Sequence, residues 1–498
     1  MLIKDLIKKQ KNNHSTMLQY KGHSLTYNEF NYIVENKLER FSNIEVNSNN
    51  IGLFLPNSIN YAIGYFTITF LDKVIVPIPI MAKENEIVST VDYCELDYII
   101  TDSENKGTIL ECLKDNEYKV SVYNLDDNSI ENIGKLERRE FTNLSYSTEN
   151  NDNVAIMLHT SGTTSNPKRV MLTHRNLISN IISNITSLGL TERDKSLIAL
   201  PMFFGYCNTA QFLTHLYLGA SVYILEDMFL PNKFFNLVQR EKITNFTGVP
   251  SMLLMLLTYK NSSKYDTTSL RYICFGGGNM PVEKLRMLID LFPHTGFVQT
   301  YGQTEASPRV TALLPEDALR KIGSVGKPIP NVQVRIVDEY DNDLNVGEIG
   351  EIIVKGYNVM KGYYKRTEVT NDTIRNGWLY TGDLAQYDNE GYIYLVGRKK
   401  NIIINGGINV YPEEVEELLL NHFAVKEALV YGVAHEIFGE VPAAKVVLNQ
   451  ELVKKPSPEE LINYCLDKLA NYKVPTEIIF VDKIEKTKTN KVKRYKED

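Results

Sequence analysis

Between residues 50 and 300 the chain alternates short apolar runs with segments of helix length, and that rhythm narrows the fold more than any other feature. The runs fall at 51–55, 74–80, 154–158, 221–225, 272–275 and 297–299. They are too short for helices, and continuous apolar runs suit strands covered on both faces. Strands of that kind separated by helices define α/β layering. From 331 to 354 the pattern turns strand-rich, with two strands around a polar turn, which predicts a small β subdomain. After Gly397 a polar, glycine-bearing stretch, RKKNIIINGGINVYP, leads into a new unit. It reads as helix 412–420, strands 424–433 and 443–448, helix 458–469 and strand 477–481. The expected α/β architecture is a large N-terminal domain over 1–399, made of layered α/β subdomains plus the small β subdomain, and a small α+β lid domain over 400–498.

A net charge of -7 argues against a general nucleic-acid binder. The five cysteines are scattered without a C-x-x-C pair, which suggests neither a disulfide framework nor a zinc site. The opening MLIKDLIKKQKNN lacks the apolar stretch of a secretory signal and reads as a first helix. The run 61–71 stops at Asp72-Lys73, short of the roughly 20 residues that span a bilayer, and reads as a buried helix. Reduced cytoplasm, with no membrane span and no nucleic acid, is the expected setting.

Five segments carry chemistry. After the apolar run 154–158, the residues Thr160, Ser161, Gly162, Thr163 and Thr164, followed by Lys168, offer hydroxyls, backbone N–H groups and a cation to phosphate oxygens. They lack the second glycine of the common P-loop, yet still point to a nucleoside triphosphate. Gly276, Gly277 and Gly278 end another apolar run and would let a flat ring lie against bare backbone. In TYGQTE, Tyr301 and Gly302 precede Thr304 and Glu305, whose oxygens suit Mg²⁺ and phosphate. In LYTGD, Asp383 can accept from both hydroxyls of a ribose. GRKK and NGGINVYPEEVE complete the set, ahead of a basic C-terminal stretch. Singly, each is equally a turn, a cap or a solvated linker.

In this order the five motifs resemble the adenylate-forming superfamily of acyl-CoA synthetases, adenylation domains and luciferases, and the resemblance covers nearly the whole chain. It implies a large domain that binds ATP and a carboxylic acid, and a mobile C-terminal lid that pivots between two half-reactions. By that resemblance Thr160 to Lys168 form the phosphate loop, and Gly276, Gly277, Gly278 and Tyr301 face adenine. Thr304 and Glu305 attend phosphate and Mg²⁺, while Asp383 and Arg398 hold the ribose. Lys400 is the hinge, Gly406 and Gly407 line a thiol channel, and Lys491 bridges the carboxylate and the α-phosphate. The implied co-substrates are ATP with Mg²⁺, and CoA or a phosphopantetheine thiol.

The chain departs from the family at Ser165 and Arg169, where glycine is usual, and at Asn490, which leaves Lys488 and Lys493 as alternatives to Lys491. Phe203, Phe204, Tyr206 and Cys207 occupy the segment that forms an acid-pocket wall in the family. No carboxylate appears between Leu200 and Gly219 to pair with an α-ammonium, which disfavours amino acids. Phe-Phe-x-Tyr is similar to aryl-CoA ligases, so an aryl or short to medium apolar acid is expected. The leading reading is an acid:CoA ligase. The alternatives are a freestanding adenylation enzyme loading an acyl or peptidyl carrier protein, and a non-catalytic nucleotide-binding scaffold.

Overall fold

The computed structural model describes residues 1–41, 48–117, 119–134, 150–159, 168–226, 228–278, 280–406, 408–436, 438–449 and 455–486. Among these residues the strands form four sheets. One of nine strands runs in the order Lys327–Pro328, Arg309–Leu313, Gly296–Gly302, Tyr272–Gly276, Asn245–Gly248, Lys195–Ile198, Ser221–Ile224, Thr16–Tyr20, His23–Thr26. One of eight runs Gly362–Tyr363, Arg169–Thr173, Val154–His159, Val74–Pro77, Asn50–Leu53, Tyr98–Thr101, Val120–Asn124, Ile130–Ile133. The central strands of both are parallel and buried on both faces, as their unbroken apolar runs require.

The helices Ile59–Phe70 and His174–Leu188 contribute to a core that spans both large sheets. Each starts at a residue that caps it. Ser58 accepts the Tyr61 N–H at 3.1 Å, and Thr173 accepts the Asn176 N–H at 3.1 Å. Asn176 has a second task, donating its amide to the carbonyls of Tyr357 at 2.8 Å and Val359 at 2.7 Å. That side chain ties the helix to the segment leading out of the small β subdomain.

That subdomain is a five-stranded antiparallel sheet holding Val332–Val337, Gly350–Gly356, Trp378–Tyr387, Ile374–Arg375 and Ile393–Arg398. Beyond a short 3-10 turn, Lys399–Asn401, comes the fourth sheet, with Ile408–Val410, Ile403–Asn405, Gly439–Leu448, Val425–His435 and Glu477–Phe480. Helices Pro412–Leu420 and Pro458–Leu466 pack on it around a separate apolar cluster that includes Val410, Val415, Val430, Ala444 and Leu461. Among the described residues no helix is long and apolar enough to cross a membrane.

The opening segment differs from its sequence expectation. Helix is limited to Asp5–Lys8, and the chain then forms Thr16–Tyr20 and His23–Thr26 at the edge of the nine-stranded sheet. Leu2, Ile3, Leu6 and Ile7 are buried, but the polar run that follows Ile7 has no apolar face with which to extend a helix.

Candidate active site

The parallel strands Tyr272–Gly276 and Gly296–Gly302 end side by side, and ligands in such sheets bind outside the carboxyl ends of the strands. Steric need for glycine is strongest here. A Cβ on Gly276 would lie 2.5 Å from the Thr300 carbonyl, and one on Gly302 would lie 1.7 Å from the Pro308 carbonyl. Gly277 has φ +79, a left-handed turn, with nothing within 4 Å of where a Cβ would stand. Gly278 continues that turn against Pro250. The tight packing of Gly302 folds Thr304–Ala306 into a 3-10 turn, held by Met360 N–H to Glu305 O at 2.8 Å and by the Asn358 amide to Ala306 O at 3.0 Å. The segment clamped by Asn176 thereby fixes Thr304 and Glu305.

On that turn one Glu305 carboxylate oxygen accepts from the Tyr363 hydroxyl at 2.8 Å. The Lys168 ammonium lies over the same ring, 4.7 Å from its centroid. Burial, reinforced by the Glu305 charge, pushes the Tyr363 phenol far above its ordinary range, so it stays a neutral donor. Lys168 and the Glu305 carboxylate are thus neighbours through one ring. Mg²⁺ needs only one or two protein carboxylates when phosphates complete its shell. Glu305 has a second oxygen to offer and Thr304 a hydroxyl, so the residues fit that ion. Thr160, Ser161, Gly162, Thr163 and Thr164 lie outside the described residues, as do Gly407 and Lys491. Arg169, in place of the expected glycine, is buried and donates to the Thr90 hydroxyl at 2.6 Å.

Asp383 is 6% exposed and engaged on both oxygens, by the Tyr301 hydroxyl at 2.8 Å and by Arg398 Nε at 2.6 Å. Asp383 and Arg398 face each other in register on adjacent strands. Burial first, and the Asp383 charge second, raise the Tyr301 phenol well above its usual range. A carboxylate accepts on both oxygens, the chemistry that the two hydroxyls of a ribose call for. Behind the turn, Glu351 accepts from Gly382 N–H at 3.0 Å and pairs with Lys399 at 2.8 Å.

The segment after Leu200 is pinned by Asn57, which donates to Leu200 O at 2.8 Å and accepts from Met202 N–H at 2.7 Å. Phe203 and Phe204 are partly buried and meet edge to face, with centroids 4.6 Å apart. Tyr206 hydrogen-bonds to Thr300 Oγ1 at 2.7 Å, and Thr300 donates onward to Phe275 O at 3.1 Å. Burial pushes the Tyr206 phenol up to about 12. A Cβ on Gly205 would touch Leu158 at 3.1 Å, with Thr304 at 4.0 Å. This aromatic segment therefore borders both the base of the phosphate loop and the Glu305 turn. Cys207 is fully buried in the core near Tyr61, and burial raises its thiol. It is not brought to Thr300 as Tyr206 is.

Lys400 lies exposed on the 3-10 turn between the third and fourth sheets. Gly406, φ +59, begins the turn between Ile403–Asn405 and Ile408–Val410, and its N–H donates to Phe438 O at 2.8 Å. Ile404, Ile408 and Phe438 around it are exposed, at 54%, 49% and 48%.

Glu351 and Tyr363 were not flagged by the sequence, because their partners come from distant strands.

Strand ends carrying Gly276 and Tyr301, the buried Asp383–Arg398 pair, Lys168 and Glu305 on either side of the Tyr363 ring and a C-terminal sheet with its own core are the arrangement expected of an AMP-forming acid–thiol ligase. The comparisons agree on the family. The model described as AMP-binding enzyme matches residues 7–364, and that described as AMP-binding enzyme C-terminal domain matches 414–491. The chain is 36% identical over 404 residues to the 2-succinylbenzoate–CoA ligase of Bacillus velezensis, covering 80% of this chain and 78% of that protein. It is 38% identical over 348 residues to YngI of Bacillus subtilis, covering 69% of this chain but only 63% of that relative's length. The solved o-succinylbenzoate CoA synthetase of Bacillus subtilis with its acyl-adenylate intermediate superposes with a TM-score of 0.85, at 29% identity, over 99% of this chain and 96% of that one. The same synthetase has also been solved with ATP and a magnesium ion. The chain belongs to the AMP-binding enzyme family, whose ligases activate a carboxylic acid with ATP and Mg²⁺ as an acyl-adenylate and pass the acyl group to CoA.

Proposed function

We propose that this ligase activates a compact aryl acid and transfers it to CoA. The observation that carries this is the wall after Leu200, where the Phe203–Phe204 pair precedes Tyr206, whose hydroxyl bonds to Thr300, with no carboxylate between Leu200 and Gly219 to neutralise an α-ammonium. A flat apolar body fits such a wall, and the names of the relatives favour an aromatic acid.

In the first half-reaction the acid oxygen attacks the α-phosphorus of ATP and pyrophosphate leaves. An anion approaches a polyanion, so opposing charge and alignment are what this chain must supply. Lys168 meets the phosphates with the hydroxyls of Thr160, Ser161, Thr163 and Thr164. Thr304 and Glu305 would hold Mg²⁺, whose charge would offset that of the phosphates. Asp383, backed by Arg398, anchors the ribose, with adenine against Gly276 to Gly278 and Tyr301. Lys491 bridges carboxylate and phosphate. In the second half-reaction the CoA sulfur attacks the acyl carbon and AMP leaves. We assign the pivot between the two poses to Lys400, with domains over 1–399 and 400–498, and the thiol path to Gly406 and Gly407. The exposed apolar residues beside Gly406 support this, since a second pose would cover them.

The test is acid-dependent exchange of labelled pyrophosphate into ATP across aryl, fatty, dicarboxylic and amino acids, followed by thioester formation with CoA or a phosphopantetheinylated carrier protein. Aryl acids with CoA are expected to lead. Faster transfer to a carrier protein would replace the CoA assignment, and absence of exchange with every acid would end the ligase reading.

A further inference from the structure

Arg169 stands where glycine is expected from the family resemblance, and it opens the strand Arg169–Thr173 at only 3% exposure. Successive residues of a strand face opposite ways, and the two faces here have different neighbours. On one face Val170 pairs with Tyr363, whose ring carries the ammonium of the preceding Lys168 at 4.7 Å. Arg169 turns to the other face, where its Nη2 donates to the Thr90 hydroxyl at 2.6 Å, on the helix Glu84–Tyr93. Its carbonyl accepts the Tyr364 N–H at 2.9 Å. The end of that helix is bound to the same place again. The Tyr93 hydroxyl donates to Tyr364 O at 2.5 Å, the Tyr364 hydroxyl donates to Glu95 at 3.0 Å, and Lys365 pairs with Glu95 at 2.6 Å. Arg169 also lies in register with His159, the last residue of Val154–His159, so this one side chain roots both strand ends at the helix.

A buried guanidinium without a counter-charge is costly, and it cannot shed its proton to escape that cost. Among the described residues no carboxylate pairs with Arg169, and its Nη1 has no hydrogen-bond partner. Packing alone would be served better by an apolar side chain of similar length. What an apolar chain cannot supply is a directed bond to Thr90. That bond fixes which way the strand faces. A strand slipped by one residue would show Lys168 to the helix and Arg169 to the Tyr363 ring, reversing the two faces.

We propose that Arg169 is a positioning residue for ATP: by gripping Thr90 it holds the strand so that Lys168 stays over the Tyr363 ring, on the side where the phosphates are received. This rests on the reading of Lys168 as the phosphate lysine and deepens it, making the Arg169–Thr90 bond the support of that lysine.

The experiment is calorimetric titration of the full chain with ATP and Mg²⁺, which does not depend on the identity of the acid. Arg169→Met is expected to lose about tenfold in ATP affinity, the scale of one hydrogen bond from a charged donor. Thr90→Val, which leaves the Arg169 charge in place, should lose roughly threefold or more, and Arg169→Lys should recover part of the loss. Each substitution is then repeated beside Lys168→Ala. In that background neither should weaken ATP further, because the group they position is gone. Circular dichroism and thermal melting establish that each variant is folded. If Arg169→Met fails to fold, Thr90→Val with and without Lys168→Ala decides the matter. Unchanged affinity in Arg169→Met and Thr90→Val, or losses that persist in full beside Lys168→Ala, would overturn the positioning role and leave the ligase reading standing. A Lys168→Ala variant that binds ATP as wild type does would remove the Lys168 assignment and this inference with it. A wild type that binds no ATP would remove the ligase reading itself.

Discussion

The ribose end of the site and the glycine turn at Gly406 are built on opposite plans. Asp383 is buried, held on both oxygens and set between two paired strands, so its geometry stands complete before any nucleotide arrives. Gly406 sits on a two-stranded hairpin at the edge of a separate sheet, ringed by exposed Ile404, Ile408 and Phe438. A preorganised site suits a group that must bind the same way throughout catalysis. An apolar surface left open suits one that is covered in only part of the cycle.

The sharpest break between the two regions is expected from Lys491→Ala. It should lower adenylate formation by about 10²–10³-fold, the scale of losing one preorganised donor, yet spare thioester formation from supplied acyl-AMP. Lys400→Pro should do the reverse by restricting φ at the pivot. Rapid-quench measurement of each half-reaction checks both, and a normal rate in Lys491→Ala with a slow one in Lys488→Ala or Lys493→Ala would move the register across Asn490. Asp383→Ala comes next. Two hydroxyls lose a charged acceptor worth roughly 1.5–3 kcal/mol, about 10- to 100-fold in ATP affinity, which calorimetric titration would read. Phe438→Asp should slow only transfer to CoA, by about tenfold, if burying that ring contributes about 1.5 kcal/mol in the second pose. Equal slowing of adenylation would refute the idea that this surface is reserved for one half-reaction.

The effect on the fixed half is one of stability and leaves both half-reaction rates alone. Burial lowers the His174 pKa to about 4, and its Nδ1 accepts the Ile3 N–H at 3.2 Å. Below the ordinary histidine value the unfolded chain takes up the proton first, so the stability gained by keeping this ring neutral is lost as pH falls from about 6.5 toward about 4. Between pH 7.5 and 5 the loss should be about 2 kcal/mol. Urea denaturation at the two pH values should show a smaller loss for His174→Asn, and an identical loss would acquit this histidine.

The parallel strands were legible because burial on both faces writes them as unbroken apolar runs, and helix Pro412–Leu420 was marked at its start by proline. Strands that draw on backbone ladders were read short. Val425–His435 and Gly439–Leu448 extend toward each other through Ala434, His435 and the run Gly439 to Pro442, a mixture that carries no alternation, because their pairing runs on to His435 and Gly439. Asp383 and Glu305 could be nominated from local motifs, whereas Tyr363 and Glu351 acquire meaning only when strands far apart in sequence are laid side by side.

The ring of Tyr363 stands between Lys168 on its face and Glu305 on its hydroxyl. An ammonium and a carboxylate free to touch directly would satisfy each other and leave little field for anything else. Here the phenol of Tyr363, which stays neutral, stands between them. A lysine on one side of the ring and a glutamate on the other let the same few ångströms offer both signs of charge to the metal–nucleotide pair proposed to bind there.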